Sequence, residues 1–390
     1  MAQVPAHEIL RYLRNQLPEM VALVQQLAVA ESPSTEPHTQ KAVLTPLAEA
    51  LDRLNYTVVH IPGRQSGGHL YARPRQRVRR QPIQLLLGHC DTVWPLGTLQ
   101  EMPLAIGEGI IRGPGVYDMK AGLVQMLYGL QALHVLHLEP VVTPLVFINS
   151  DEEIGSHEST PYIRRLARIA DRAFVFEPSL GLDGKLKTTR KGVGRFTVVV
   201  KGKAAHAGLN PERGASAILE LSFVIQKLFA LNDPNKGITV NVGMIDGGLR
   251  PNVIAPESRA LVDVRVFTHE DAQQIEESIR TLQPVSSEVT LEISGGLGRP
   301  PMELTPRNQA LWGMARSLGR EIGVELAAGA AGGASDGNTT SLYTATLDGL
   351  GAVGDGAHAR HEFIYFDKMV ERGALLTLLL MAPPLQETRS

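Results

Sequence analysis

Histidines and carboxylates in this chain collect where short apolar runs stop. "PIQLLLGHCDT" ends in His89, Cys90 and Asp91, and "GPGVYD" delivers Asp118 just ahead of a helical stretch. "PLVFINSDEE" ends in Asp151, Glu152 and Glu153, "RAFVFEP" ends in Glu177, and "GDGAHARHEF" brings His358 and His361. Ionised groups crowded at one sheet edge repel each other and lose hydration, so they require a counter-charge. A divalent cation supplies it, and imidazole with carboxylate is a zinc-type donor set. The His89-x-Asp91 spacing suits an imidazole that binds metal with one nitrogen and gives its other N–H to a carboxylate. Cys90, between them, reads as a small buried residue rather than a ligand. Taken singly, each piece has a plainer reading: a capped turn for His-x-Asp, a solvated acidic turn for "DEE", a helix entry for Glu177-Pro178. Arrival in this order after successive strand-like runs favours one shared site, because ligands gather at the C-terminal ends of strands in open α/β sheets.

The elements that must position these groups follow from periodicity. Residues 38–56 repeat apolar side chains every three or four positions, as do residues 7–29 apart from Pro18, and both read as helical. "TVVHI", "PIQLLLGHCDT", "PLVFINSDEE" and "RAFVFEP" are short, rich in branched residues and bounded by Gly, Pro or charge, the pattern of buried strands. Between two of them, Met119, Leu123, Met126, Leu127, Leu130 and Leu133 mark a helix over 119–137. Strands alternating with helices predict a mostly parallel α/β sheet.

Near residue 190 the pattern changes. Residues 194–203, 238–245, 258–266 and 288–294 alternate or read as strands, with helices over 214–231 and 270–282. This β-α-β-β-α-β order is that of a self-contained ferredoxin-like α+β unit. "ISGGLGRPP" (293–301) looks like the way out, and 307–323 and 366–381 are helical again. The predicted organisation is a catalytic domain over 1–188 and 302–390, with an inserted domain over 189–301.

Together, "GHCDTV", "GPGVYDMKAG", "SDEEIGS", "FEPS", "GKAAHAG", "RPNVIAPESRALVDVR", "GGASDGN" and "GAHARHEF" resemble the M20 metallopeptidases, a family of di-zinc aminohydrolases, over nearly the whole chain. The resemblance is to the glutamate carboxypeptidase type. It implies a zinc-aminopeptidase-like catalytic domain with an inserted dimerisation domain. It implies that His89, Asp118 and Glu177 hold one zinc and Asp118, Glu153 and His358 the other, with cobalt or manganese as possible substitutes. His361 stands where the family has Asp or Asn and is the alternative to His358. Asp91 would orient His89, Glu152 would be the general base, and the Asp118–Met119 peptide bond would be cis. His206 would reach a partner subunit's site in a homodimer and bind the substrate carbonyl. Asn252, Arg265 and Arg299 would take the substrate's carboxylate end, Arg299 being the arginine of glutamate-releasing enzymes; an arginine fork suits a carboxylate. Gly332, Gly333 and Ser335 would border the pocket, with Arg190 and Lys191 as weaker anion-binding candidates. The implied activity is hydrolysis of the amide bond of an N-acyl or peptidyl amino acid, probing first for glutamate release. The alternative is an N-acyl-amino-acid deacylase of the acetylornithine or succinyl-diaminopimelate kind.

Composition limits other readings. The 390 residues carry 38 Lys and Arg against 40 Asp and Glu, a net charge of −2 without the field of a nucleic-acid binder. The densest basic run, "RPRQRVRRQ" (73–81), reads as a solvated turn between strands. With 1 cysteine there is no intrachain disulfide, and the opening residues lack the apolar core of a signal peptide. No apolar run is long enough to span a membrane. A cytoplasmic protein is therefore expected. No G-x-x-x-x-G-K-[ST] phosphate loop occurs.

Overall fold

The computed structural model describes residues 6–385. The chain divides into two compact units. Residues up to Thr188, Leu304–Ala330 and those from Ser335 onward form the first; Thr189–Glu303 with Ala331–Ala334 form the second. Residues 331–334, including Gly333, thus group with the inserted segment.

The first unit is built on a six-stranded mixed sheet. Ile83–His89 pairs in parallel with Thr143–Asn149 on one side and Arg172–Val175 on the other, and Ala345–Leu347 continues the parallel part. His69–Pro74 and Tyr56–Ile61 complete the opposite edge antiparallel. Every residue of Ile83–His89 and of Thr143–Asn149 is buried. The reason is that both faces are covered. Leu86, Val146, Ile148 and Phe174 join the core shared with Leu27, Leu47, Leu123 and Leu375, while Leu85, Leu87, Phe147 and Val175 pack with Ile163 on the other face. A strand with no wet face is written as an unbroken apolar run. Helix Ala121–Val135 is buried almost all round, more than a single apolar stripe predicts, because it is enclosed among the sheet and the helices Leu17–Val29 and Lys368–Met381. Pro18 stands in the first turn of Leu17–Val29, where its missing N–H has no helical partner to lose, and Ala6–Asn15 is a separate helix.

A smaller antiparallel sheet of the same unit runs in the order Gly354–Asp355, Phe363–Tyr365, Ile110–Arg112, Ala105–Gly107. It sets the loop after Arg112 beside the turn between Asp355 and Phe363. Residues 349–354 spell G-x-G-x-x-G, but they connect Ala345–Leu347 to Gly354–Asp355 with no helix following. The strand–turn–helix setting of a dinucleotide site is absent there.

The second unit is a four-stranded antiparallel sheet in the order Thr239–Gly247, Glu257–Val266, Gly192–Lys201, Thr290–Arg299. Helices Ala217–Phe229 and His269–Arg280 cover it, and Phe196, Val198, Leu221, Val224, Ile275 and Ile279 belong to its own core. Strand Gly192–Lys201 alternates buried and less buried residues along its whole length. One expectation fails here. The "ISGGLGRPP" stretch is not simply an exit loop: residues 293–299 continue the last strand, because Gly295, Gly296 and Leu297 keep pairing with Phe196, Arg195 and Gly194. Backbone pairing overrides the poor strand tendency of glycine. The exit comes just after, where Arg190 and Met302 exchange two backbone hydrogen bonds of 3.0 Å. Among the described residues no helix is long and apolar enough to cross a membrane.

Candidate metal centre

Five segments of the first unit deliver charged side chains to the C-terminal edge of the parallel strands. His89 is the last residue of Ile83–His89. Asp118 lies in the irregular turn Val116–Lys120, where Asp118 and Met119 leave helical geometry and the bond between them is cis. Glu152 and Glu153 open the short turn after Thr143–Asn149, and Glu177 follows Arg172–Val175. His358 comes from the turn after Gly354–Asp355, with its backbone at φ +62°.

Asp118 sits between two imidazoles. Its Oδ1 is 3.2 Å from His89 Nε2, and its Oδ2 is 3.4 Å from His358 Nε2. Glu177 Oε1 is 3.5 Å from the same His89 nitrogen, and Glu153 Oε2 is 3.2 Å from His358 Nε2. Donor atoms of His89, Glu152 and Glu177 lie within 4.8 Å of one another, as do those of His89, Asp118 and Glu153. His361 turns away: its Nε2 is 3.9 Å from Asp355 and its side chain is 64% exposed. His358, not His361, therefore faces the carboxylates. Cys90 is fully buried among apolar residues, and burial pushes its thiol far up.

The electrostatics are those of a site short of positive charge. Burial and the neighbouring Asp118 charge push Glu153 up to about 7, and its Oε1 is buried without a hydrogen-bond partner. Burial would raise Asp118 too, but hydrogen bonds from His358 and His89 hold it well below the carboxylate range. Hydrogen bonds to Asp118 and Glu153 lift His358 to about 11. Burial alone would lower His89, yet its bonds to Asp118, Asp91 and Glu177 carry it well above the ordinary imidazole value. The same oxygens that raise both imidazoles would be satisfied by a divalent cation, and the donor set of carboxylates and imidazoles suits one.

Asp91 ties the ligand-bearing pieces together. It accepts from the backbone N–H of Glu152 at 3.2 Å and of Glu153 at 3.1 Å, and from Ser34 Oγ at 2.7 Å. Its carboxylate is 3.5 Å from His89 Nδ1, whose shorter contact is the Asp91 carbonyl oxygen at 3.0 Å. Ser34 was invisible to motif reasoning, because it lies 57 residues upstream in a stretch with no signal. Asp336, inside "GGASDGN", also supports the acidic turn: it accepts from Ser156 Oγ at 2.5 Å and Asn149 Nδ2 at 2.6 Å.

The substrate-binding candidates belong to the second unit. His206 and Asn252 lie in loops that touch: Ala207 N donates to the Asn252 carbonyl at 3.0 Å, and His206 bridges Val253. Both side chains are exposed. Arg265 and Arg299 flank Val193 from the two neighbouring strands. Arg265 already grips Asp263, with Nε at 2.8 Å from Oδ1 and Nη2 at 3.2 Å from Oδ2. Arg190 Nη1 donates to the Gly333 carbonyl at 3.0 Å. A methyl group at Gly332 or Gly333 would meet nothing within 4 Å, so the chain itself does not require glycine there. Ser335 is buried and caps helix Asp336–Thr340 rather than lining open space.

Comparison with known proteins bears on the whole arrangement. Residues 188–283 match the peptidase dimerisation domain of the M20 family. Carboxypeptidase G2 of a Pseudomonas strain is 28% identical over 305 residues, covering 76% of this chain and 73% of that protein. The crystal structure of aminopeptidase PepT from Bacillus cereus superposes with a TM-score of 0.75 at 19% identity, covering 95% of this chain and 98% of the other. A Bacillus subtilis protein described as a dinuclear metal-binding peptidase of the M20 family gives 0.68 at 14% identity, covering 94% and 98%. A matched dimerisation domain, a carboxypeptidase relative along three quarters of both chains and a fold shared with M20 peptidases, laid over a histidine–carboxylate cluster, make this chain similar to the M20 metallopeptidases and identify it as a metal-dependent hydrolase.

Proposed function

We propose that the chain is a di-zinc carboxypeptidase that cleaves the amide bond of an N-acyl or peptidyl amino acid and releases a C-terminal acidic residue, glutamate first. The observation that carries this reading is the placement of Asp118, one oxygen toward His89 and the other toward His358. His89, Asp118 and Glu177 would hold one ion, and Asp118, Glu153 and His358 the other. The relative named carboxypeptidase G2 and the dinuclear peptidase of the same fold support it.

Bound divalent ions supply Lewis acidity, polarising the amide carbonyl and making a water acidic near neutral pH. The chain's own groups do the rest. Glu152 takes the water's proton and passes it to the leaving amine nitrogen. Asp91 holds the Glu152–Glu153 backbone and His89 in one frame. His206 donates to the substrate carbonyl as charge develops there, an interaction worth about 3–4 kcal/mol in comparable oxyanion sites. Asn252 and Arg299 take the carboxylate end; Arg265 would have to share or exchange Asp263 to join them.

The working form would be a homodimer built through the second unit. Strand Thr239–Gly247 is an edge of its sheet, and Met244 and Ile245 on it are each 66% exposed. Ile218 and Leu219 of the neighbouring helix are exposed as well. An apolar, unpaired edge invites a second copy. A cytoplasmic location fits a fold whose single cysteine is buried and unpaired.

The direct test is an amine-release assay on N-acyl-glutamate beside N-acetylornithine. The proposal expects turnover of the former, abolished by a chelator and restored by zinc. Preferential cleavage of N-acetylornithine would move the chain to the deacylases, and activity indifferent to the chelator would reject the metal mechanism.

A further inference from the structure

Glu362 is fully buried, and its carboxylate is held by N–H groups alone. Oε2 accepts from the Trp94 indole Nε1 at 2.7 Å and from Gly115 N at 2.9 Å. Oε1 accepts from Tyr117 N at 2.8 Å and from Asp118 N at 3.1 Å. The Glu362 carbonyl oxygen accepts from Gly113 N at 3.2 Å. Burying a carboxylate is costly unless such donors replace its water.

The donors come from separate stretches that share one property. Trp94 follows His89 and Asp91 on the same loop. Gly115, Tyr117 and Asp118 form the turn that carries Asp118. Glu362 itself lies in the turn that carries His358, between the paired strands Gly354–Asp355 and Phe363–Tyr365. The Asp118 turn needs an external acceptor, since its irregular geometry leaves N–H groups without regular helical partners. Glu362 supplies two oxygens for three such groups and for the Trp94 indole.

We propose that Glu362 is the positioning residue of the metal centre: it locks the Asp118 turn to the His358 turn, and both to the loop after His89, so that Asp118 presents one oxygen to each imidazole. The inference rests on the metal-centre reading. It goes beyond that reading in assigning the geometry of the shared carboxylate to a residue that touches neither ion nor substrate.

Two variants test it in the full-length protein. Glu362→Gln keeps the size but turns one oxygen into an NH2 that faces two N–H donors. Trp94→Phe removes a single donor and leaves the carboxylate. For each, the apo protein's melting temperature, its zinc affinity by competition with a chromophoric chelator, and the visible spectrum of the cobalt-loaded form are measured. Glu362→Gln is expected to fold when metal-free, to lose roughly 10- to 100-fold in zinc affinity, as outer-shell changes do, and to shift the cobalt bands. Trp94→Phe should lose about two- to ten-fold in affinity by the same route. A purely structural Glu362 would lower the apo melting temperature while the folded variants kept wild-type affinity and spectrum; that result overturns the inference. If Glu362→Gln does not fold, unchanged affinity and spectrum in Trp94→Phe overturn it alone. A wild type that takes up no stoichiometric metal rejects the metal-centre reading itself, which is a separate failure.

Discussion

Glu152 and Glu153 are neighbours in sequence with different surroundings. Glu153 has a buried oxygen without a partner and contacts His358, whereas Glu152 belongs to the group around His89 and Glu177. A ligand and a proton carrier are thereby separated by one step of the backbone. Glu152→Ala should bind metal at wild-type stoichiometry while kcat falls by about 10²- to 10⁴-fold; near-normal kcat would reject the base assignment. Protonation makes a second prediction. His358 at about 11 and His89 well above its usual value hold protons at neutral pH in the metal-free protein. Metal uptake must expel them, so affinity should climb with pH from the neutral range towards about 11, the raised value of His358, with proton release visible as buffer-dependent calorimetric heat. The sign follows from both imidazoles being raised: their protons favour the metal-free fold until pH passes their shifted values. At this scale the sequence is informative about the ligands, most of which end apolar runs, and about Asp91 two residues from His89, but mute about the more distant groups that hold them. Ser34, Trp94 and Glu362 act through contacts across tens or hundreds of residues, and no local pattern announces such contacts.

Elements position the site through close backbone approach. Gly122, at the start of helix Ala121–Val135, and Gly351 both lie against the Phe176 carbonyl oxygen, one residue before Glu177. A methyl group at either would collide with it. Gly122→Ala should cost about 1–3 kcal/mol, as overpacking does, and displace Glu177. Thermal melts of the apo protein, paired with zinc titration, would register both effects. A second lock closes the end of helix Lys368–Met381. Buried Arg172 donates to the carbonyls of Leu379, Ala382 and Pro383 at 3.2, 2.8 and 2.7 Å and to Gln84 at 3.0 Å. Arg172→Ala would leave these acceptors buried and unmet, a loss of about 3 kcal/mol or more read as a lower denaturation midpoint. The strands of the large sheet are legible from apolar runs because both faces are covered. The reach of strand Thr290–Arg299 through two glycines is not, since ladder pairing rather than side-chain preference extends it.

At the scale of the molecule, the homodimer proposal makes a complementation prediction. Glu152→Ala and His206→Ala homodimers should each be nearly inactive. If His206 serves the partner's site, random mixing gives heterodimers with one intact site, and about a quarter of wild-type activity should return on subunit exchange. Recovery of nothing would place His206 in its own subunit's chemistry. Met244→Asp together with Ile245→Asp should yield monomers by light scattering, with activity lost in parallel.

The backbone stitch between Arg190 and Met302 has a consequence for engineering the chain. Entry and exit of the insertion lie side by side, so its removal leaves only a hairpin-sized gap to close. Replacing residues 191–301 with a short turn should leave the path of the large sheet uninterrupted, while residues 331–334 lose the partners they group with.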